Sequence, residues 1–286
     1  MIVSASYRTD IPAFHADWFA RRLAAGSALV KNPYGGQDYP VPLAGDAVDG
    51  FVFWTRNLRP FQRVLATLDK PFVVQFTITG YPRRLDPRVP APDVAAGQLR
   101  DLARRFGPRA GVWRYDPVVR TGHLDDTWHR ENFARLARSL SGAVDEVVVS
   151  LMAPYAKTRR NLKSALLPGE GVDSEPAAAA PLLDDLAAIA GGHGMRLTAC
   201  TAPGLPALPP ARCIDAERLS DVAGRTIAAR TRGNRPGCLC AQSRDIGAYD
   251  SCGHGCAYCY AVADHRRALA FARERGPAGE RLAAVM

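Results

Sequence analysis

The chain has 286 residues, of which 47% are hydrophobic and 23% are charged. This balance is typical of a globular protein and excludes a chain that is mainly disordered. The formal net charge at pH 7 is +9. It favours either an anionic partner, such as nucleic acid or a phosphorylated small molecule, or an ordinary basic surface, and charge alone leaves both interpretations open.

The chain begins with MIVSASYRTDIP, which has no basic segment followed by an apolar one, so we expect no signal peptide. No uninterrupted run of about 18 apolar residues occurs, so we expect no transmembrane helix and no membrane partner. The sequence therefore predicts a cytoplasmic protein. Seven cysteines in that compartment favour metal or redox chemistry over structural disulfides, because the cytoplasm keeps thiols reduced.

Short hydrophobic segments recur along the chain and are typical of strands buried on both faces of a parallel sheet. They are Ile2–Ser6, Ala28–Lys31, Gly50–Thr55, Phe72–Thr77, Gly111–Tyr115, Glu146–Leu151 and Arg196–Cys200. Segments with helical periodicity alternate with them, at Ala16–Ala24, Leu58–Leu68, Pro92–Arg105, Thr127–Leu140, Pro181–Ala190 and Ala261–Arg275. Asp126 is expected to cap the helix that follows it, and Pro181 to lie in a first helical turn. The alternation predicts an α/β fold, with seven strands that suit a (β/α) barrel or partial barrel.

We expect one structural unit made of two parts. Residues 1–210 form the barrel core, and residues 211–286 form a cysteine-rich segment that packs on it without a clear apolar strand of its own. Between predicted elements, the sequence indicates an exposed loop at Pro168–Pro181 and an extended, proline-rich connection at Ala202–Pro210.

Polar and charged residues follow the predicted strands directly. Ligands of parallel sheets bind beyond the carboxyl ends of the strands, and a charge beside a buried strand is costly unless it is paired or used. We therefore expect several of these residues to line one site: Arg8, Asp10, Arg56, Asn57, Arg114 and Asp116.

The strongest motif is C-x3-C-x2-C, formed by Cys252, Cys256 and Cys259. Three thiolates this close can hold three irons of a [4Fe–4S] cluster if the loop curls tightly, which Gly253 and Gly255 allow. The fourth iron then stays open to another ligand. The alternative is a zinc site that uses His254, or three reduced thiols.

The stretch from Tyr249 to Ala261 resembles the cluster loop of radical S-adenosylmethionine enzymes, in their spore-photoproduct-lyase-like branch. The resemblance implies that the three cysteines hold the cluster, that S-adenosylmethionine chelates the open iron, and that Tyr258 contacts its adenine. Reductive cleavage then gives a 5′-deoxyadenosyl radical, with the electron coming from a donor such as a flavodoxin or ferredoxin.

In that superfamily the loop follows the first strand of a partial (β/α) barrel, whereas here it lies about 30 residues from the end of the chain. Circular permutation accounts for this if the loop packs beside Ile2–Ser6. No Gly-Gly-Glu segment of the kind that binds the methionine moiety stands at a strand end. The permutation instead assigns that role to Ser6, Arg8 or Asp10.

The chain resembles the DUF1848 family over nearly its full length. The resemblance lies in Ser4–Pro12, Phe53–Asn57, Arg114–Pro117 and the motif Cys238-x-Cys240-x2-Ser243-x-Asp245-Ile-Gly247-x-Tyr249. It implies no particular reaction.

Four cysteines lie outside the triplet: Cys200, Cys213, Cys238 and Cys240. Four thiolates suit a second iron–sulfur cluster or a structural zinc ion. Alternatively, Cys200 and Cys213 are buried small hydrophobic residues, or one of the four completes the first cluster.

Three functions compete. In the first, a permuted radical S-adenosylmethionine enzyme, the arginines at positions 8, 56 and 114 bind anionic groups, Asp10 or Asp116 binds ribose or takes a proton, and cofactor contacts come from Ser6, Arg56, Asn57 and Tyr258. The second is a nucleic-acid-binding or repair protein with a structural iron–sulfur or zinc site. The third, a zinc-stabilised hydrolase, lacks the H-E-x-x-H, G-x-S-x-G and P-loop motifs. The substrate, small molecule or nucleic acid, stays open.

Overall fold

A computed structural model describes residues 1–32, 35–153, 155–200, 208–273 and 279–282. Its strands are β1 (Ile2–Ala5), β2 (Ser27–Lys31), β3 (Asp38–Pro42), β4 (Gly50–Thr55), β5 (Phe72–Thr77), β6 (Gly111–Val118), β7 (Arg120–Thr121), β8 (Glu146–Leu151), β9 (Val172–Asp173), β10 (Arg196–Ala199) and β11 (Ser243–Asp245). Its α-helices are α1 (Ile11–Phe14), α2 (Ala16–Ala24), α3 (Gln62–Thr67), α4 (Pro92–Phe106), α5 (Asp126–Leu140), α6 (Ala156–Lys163), α7 (Pro176–Gly192), α8 (Ala216–Ala223) and α9 (His265–Arg273).

Seven strands form one parallel sheet in the order β10-β8-β6-β5-β4-β1-β11. From β1 to β10 each strand lies beside the preceding sheet strand along the chain, while the last strand, β11, joins the other edge of β1. The predicted α/β class is confirmed. In the described part of the chain the sheet has two edges, β10 and β11, so a closed barrel is not formed there.

Both faces of the sheet are covered, which explains why its strands are almost continuously hydrophobic. On one face Phe53 and Trp113 belong to a core that includes Phe19 of α2 and Phe133 of α5. The opposite face carries Val52, Val73, Val112 and Val148, which pack with Leu219 of α8 and with cysteines of the carboxyl-terminal segment.

Two strand predictions need correction. The segment Ala28–Lys31 is a strand, but it pairs with β3 in an antiparallel hairpin and is not part of the main sheet. The seventh sheet strand is β11, although the last quarter of the chain was expected to contribute none. It was missed because Ser243–Asp245 is only three residues long and polar, and its pairing with β1 is a tertiary interaction.

Some helix boundaries also differ from the prediction. Helix α7 begins at Pro176 and contains Pro181 in its interior, because the run of alanines after Pro176 extends the helix at its amino end. The helix therefore takes up part of the expected loop at Pro168–Pro181, which also contains β9. Asp125, not Asp126, caps α5 through the Trp128 amide.

The remaining helical segments are shorter or divided. The segment Leu58–Leu68 splits into a 3-10 turn, Arg59–Phe61, and α3. Helix α9 begins at His265, four residues later than expected, and most of the Ala202–Pro210 connection lies outside the described residues. No helix in the described ranges combines the length and apolar character needed to cross a bilayer.

Candidate functional site

The loop that carries Cys252, Cys256 and Cys259, called the cysteine loop below, follows the end of β11 beside the carboxyl end of β1. Asp245, the last residue of β11, accepts hydrogen bonds from Ser4 Oγ (2.8 Å), Ser6 Oγ (2.7 Å) and the Tyr7 amide (3.1 Å). Since three residues of β1 and its extension bind one carboxylate, the start of the loop is fixed against the first strand.

Arg8 also binds Asp245, and we call this set of contacts between β1 and Asp245 the joint. Its Nε donates to Asp245 Oδ1 at 3.0 Å and Nη2 donates to the Asp245 carbonyl at 3.2 Å, with both side chains buried. Burial opposes the charged guanidinium, but the Asp245 carboxylate raises the pKa of Arg8 above its ordinary value. A Cβ at Gly247 would lie 1.9 Å from Ser6 Oγ, so only glycine fits there. Ser6 and Arg8, predicted to face a cofactor, thus stabilise the strand junction.

Asp10 ties the cysteine loop to β4. Its carboxylate contacts His254 Nε2 at 2.7 Å and accepts from Thr55 Oγ1 (2.7 Å) and from the Arg56 amide (2.8 Å), and it also caps α1. The other ring nitrogen of His254 faces the Arg88 carbonyl at 3.3 Å. Both nitrogens of His254 therefore face oxygen acceptors, which favours a structural role over the zinc-ligand alternative.

A second buried ion pair lies directly against the triplet. Arg56 donates to both oxygens of Asp86 at 2.9 and 2.8 Å, to Cys256 Sγ at 3.1 Å and to the hydroxyl of Tyr258. The Tyr258 hydroxyl in turn donates to Asp86 at 2.7 Å. Burial disfavours the guanidinium charge, yet Asp86 holds the pKa of Arg56 well above its ordinary value. A cation is thus fixed beside one thiol of the triplet.

The triplet thiols are held together in a low-dielectric environment. Burial raises the pKa of Cys252 to about 12 and that of Cys256 well above its usual range, and each thiol interacts electrostatically with Cys259. The Ala261 amide donates to Cys259 Sγ at 3.4 Å, and Gly255 adopts φ +75°. Among the described residues, no group of three or more His, Cys, Asp or Glu side chains is arranged to hold a single metal ion.

Arg114 and Asp116 lie together on the face of the sheet that the carboxyl-terminal segment covers. Arg114 forms an ion pair with Asp116, and the Asp116 carboxylate also accepts a hydrogen bond from Ser150 Oγ. The guanidinium carbon of Arg114 lies 4.9 Å from the centre of the Trp54 ring. Burial raises the pKa of Asp116, but Arg114 and the Ser150 hydroxyl lower it more, so the group is a carboxylate. Its side chain is 19% exposed, which leaves it accessible to a small ligand.

Asn57, predicted to contact a cofactor, makes local hydrogen bonds in the structure. Its side-chain oxygen accepts from the Arg59 amide at 3.2 Å and its own amide donates to Thr55 Oγ1 at 2.9 Å. These bonds stabilise the turn after β4, so the structure shows Asn57 in a local role.

Exposed aromatic rings surround the carboxyl end of β1. Tyr155, Tyr249 and Tyr260 are 51%, 43% and 46% exposed. The Lys157 ammonium lies 5.6 Å from the centre of the Tyr249 ring, and the Arg8 guanidinium carbon 5.8 Å from the same centre. Exposed rings beside cations are suited to stacking on a planar, anionic ligand.

Residues that bind the predicted site residues were missed by sequence reasoning. Asp245 and Asp86 pair with Arg8 and Arg56, and Arg88 Nε donates to the Gly253 carbonyl at 2.7 Å. Only Asp245 carried a signal, since it lies in the motif that precedes the triplet. Asp86 and Arg88 stand in a loop without any pattern.

The four other cysteines lie apart from the triplet, and one of them, Cys213, accepts a hydrogen bond from Arg114 Nη1 at 3.1 Å. Cys200, Cys213 and Cys240 are buried and Cys238 is partly exposed. Their packing belongs to the covered face of the sheet, so the structure separates the seven cysteines into two groups.

The family model described as "Domain of unknown function (DUF1848)" matches residues 2–261. No curated protein and no solved structure matches the chain. Its activity is therefore inferred from its own side chains.

Proposed function

The chain belongs to the DUF1848 family, and we propose that it is an iron–sulfur enzyme of the radical S-adenosylmethionine type. In this proposal Cys252, Cys256 and Cys259 bind a [4Fe–4S] cluster and leave one iron for S-adenosylmethionine. When bound, the cluster would supply the electron for reductive cleavage of S-adenosylmethionine, drawn from a flavodoxin or ferredoxin.

One observation carries the proposal: the cysteine loop follows a strand that joins the sheet beside β1. Read from β11, the sheet runs β11, β1, β4, β5, β6, β8 and β10. This is the order of a partial (β/α) barrel whose first strand has moved to the end of the chain, with the cysteine loop directly after that strand. A circularly permuted partial barrel is therefore part of the proposal.

The residues of the loop fit such a cluster. Its three thiols lie within eight residues of the loop that follows β11, and N–H groups of Arg56 and Ala261 point at two of the sulfurs. Hydrogen bonds to cysteine sulfurs are one of the ways in which proteins adjust the potential of such clusters. A cubane cluster binds each cysteine to a different iron, so its ligands need not surround a single point as the ligands of one ion do.

The surrounding residues divide into supports and ligand-facing groups. Arg8, Asp10 and Arg56 have their charges matched within the protein, so their role is to hold the loop. Arg114 and Asp116 are paired with each other, but the Asp116 side chain is 19% exposed while that of Arg114 is buried. In the proposal, Asp116 accepts hydrogen bonds from hydroxyl groups of the nucleoside or substrate, while Arg114 keeps it ionised.

The exposed rings of Tyr155, Tyr249 and Tyr260, together with Lys157, favour a second candidate function, binding of a single nucleic-acid strand. Base stacking on aromatic side chains is tolerant of sequence, and neighbouring cations contact the phosphates. This candidate is tested with a single-stranded oligonucleotide: binding should weaken as salt is raised and when Tyr249 and Tyr260 are both replaced by Ala. Binding that neither change affects would contradict it.

The enzyme proposal is tested on protein purified without oxygen and reconstituted with iron and sulfide. With dithionite and S-adenosylmethionine it should form 5′-deoxyadenosine, and Cys256→Ala should abolish both this product and the iron–sulfur absorption of the triplet. Comparing the apo forms of native protein and variant by thermal unfolding controls for loss of fold. A native protein that takes up no iron, or an iron signal that Cys256→Ala leaves unchanged, would overturn the proposal.

A further inference from the structure

The covered face of the sheet contains a second group of cysteines. Cys200 follows β10 directly, Cys213 lies in the segment before α8, and Cys238 and Cys240 lie in the segment before β11. All four pack in or against the same small core. They come from three separate stretches of chain, so the fold itself brings them together.

Backbone hydrogen bonds hold these three stretches side by side. The Ala211 amide donates to the Ala199 carbonyl at 2.9 Å, and the Ala241 amide donates to the Ile214 carbonyl at 2.8 Å. The Arg232 amide donates to the Cys240 carbonyl at 2.9 Å, which closes a hairpin around Cys238. Cys200, Cys213 and Cys240 are therefore each next to a backbone hydrogen bond that joins two cysteine-bearing stretches, while Cys238 lies inside the hairpin that ends at Cys240.

The distance between two of the sulfurs matches that of ligands of a single ion. The Sγ atoms of Cys200 and Cys213 are 3.6 Å apart. Four sulfurs placed tetrahedrally around Zn²⁺ at about 2.3 Å are separated by roughly 3.8 Å. The Ile214 amide, next to Cys213 in the chain, donates to Cys240 Sγ at 3.4 Å. Two sulfurs thus already stand at the distance of a tetrahedral edge, and the third is hydrogen-bonded to the residue that follows Cys213.

Hydrogen-bond donors surround these sulfurs. Arg114 Nη1 donates to Cys213 Sγ at 3.1 Å, Arg235 Nη2 donates to Cys200 Sγ at 3.3 Å, and the Ile214 amide donates to Cys240 Sγ at 3.4 Å. Guanidinium and amide N–H groups favour thiolates over thiols, and metal-bound thiolates commonly have such donors around them. Buried thiols that serve only as small hydrophobic groups have no need of two arginines.

We propose that Cys200, Cys213, Cys238 and Cys240 bind one Zn²⁺ ion as a tetrathiolate site that is separate from the triplet. As placed, the four side chains do not all converge on one point. The proposal includes rotation of the Cys238 and Cys240 side chains, each of which moves its sulfur by roughly 3 Å between staggered rotamers. The ion would join the end of β10 to the segment before β11 and so close the covered face of the sheet.

A disulfide between Cys200 and Cys213 is the competing use of the short distance. A disulfide would not involve the thiol of Cys240, and its sulfurs would not carry the negative charge that the hydrogen bonds of Arg114 and Arg235 stabilise. A tetrathiolate site accounts for all three. The test therefore counts both metal and free thiols.

The experiment uses full-length protein in which the triplet is removed, Cys252→Ala/Cys256→Ala/Cys259→Ala, so its outcome does not depend on the proposed enzyme function. After zinc addition and desalting, we expect about one equivalent of zinc, four thiols that react only after chelation, and no sulfide. Adding Cys213→Ala should remove the zinc. A zinc-free protein, a Cys200–Cys213 disulfide, or about four equivalents each of iron and sulfide at these cysteines would each overturn the single-ion assignment.

Two further measurements guard against simple loss of fold. Co²⁺ alone, added to the reduced triplet-free protein, should saturate at one equivalent with sulfur-to-cobalt charge-transfer absorption. Arg235→Gln, at an exposed position, should weaken zinc retention in a chelator competition about 10- to 100-fold, while the neighbouring exposed change Arg232→Gln should not. Equal effects of the two changes, or cobalt binding without the charge-transfer band, would contradict the site.

Discussion

Replacing Asp245 by Asn tests the joint that places the cysteine loop. The Asp245 carboxylate accepts from five donors, Ser4, Ser6 and Arg8 side chains and the amides of Tyr7 and Gly247. Asn keeps the shape but removes the charge, and it turns an NH₂ group toward groups that are themselves donors. We expect Asp245→Asn to loosen β11 from β1.

The size of the effect follows from burial. The side chains of Arg8 and Asp245 are 7% and 2% exposed, so Arg8 would be left as an uncompensated buried cation. Breaking a buried pair in this way typically costs about 3–5 kcal/mol of unfolding free energy. Contacts of Arg8 with the rings of Tyr7 and Tyr249 lower that cost only in part.

Urea unfolding of native and variant apo protein measures this loss. Asp38→Asn is the matched control, because Asp38 pairs with Arg281 at 2.8 Å while the two side chains are 36% and 43% exposed. That pair should be worth less than about 1 kcal/mol. If Asp245→Asn costs no more than Asp38→Asn, the joint does not stabilise the fold as argued. Adding Arg8→Met to Asp245→Asn should recover part of the loss, since it removes the unpaired charge.

Three further predictions concern single residues. Burial lowers the pKa of His129 to about 4. The unfolded chain, with its histidine pKa near 6.5, therefore binds more protons between these values, and stability is lost as pH falls. Native protein should lose about 2 kcal/mol more than His129→Gln between about pH 7.5 and about pH 5 in urea unfolding, and equal losses would contradict the buried neutral imidazole. Gly255→Ala should destabilise the protein more than Gly142→Ala. Both glycines have φ near +75°, but of these two positions only Gly255 would place a Cβ 2.0 Å from a side chain, that of Arg88. Equal melting temperatures of the two variants would exclude the clash. Arg56→Lys should lower the free energy of unfolding in urea by about 3 kcal/mol despite the retained charge, because lysine cannot make the bidentate hydrogen bonds to Asp86. An unchanged unfolding midpoint would show that the bidentate pair is dispensable.

The central strands could be predicted from the sequence because their environment is simple. The boundaries of β4, β5 and β8 agree with the prediction, and all three are buried on both faces, so nearly every residue in them is hydrophobic. The signal weakens where pairing depends on tertiary contacts. Strand β11 has no hydrophobic residue, and its position depends on hydrogen bonds to β1 from across 240 residues or so of chain.

The sequence indicated which charges would gather beyond the strands, but not which residues they pair with. Charges beside buried strands indicated a common site, and the structure does bring Arg8, Asp10 and Arg56 to the same end of the sheet as the triplet. Their partners were not predictable, because Asp86 stands 30 residues from Arg56 and Asp245 stands 237 residues from Arg8. A sequence pattern shows that a buried charge needs a partner, but not which distant residue supplies it.

The two cysteine groups are coupled to the core through the same segment of chain. Cys213, Cys238 and Cys240 help to cover the face of the sheet that carries Val52, Val73, Val112 and Val148. The same segment then forms β11 and delivers the triplet. A cluster or ion bound at either group, as proposed, would therefore add to the stability of the sheet, since a ligand that binds only the folded chain stabilises it by its binding free energy. Conversely, a change that loosens β11 should weaken binding at the triplet, because the hydrogen bonds to Asp245 fix the start of the loop that carries it.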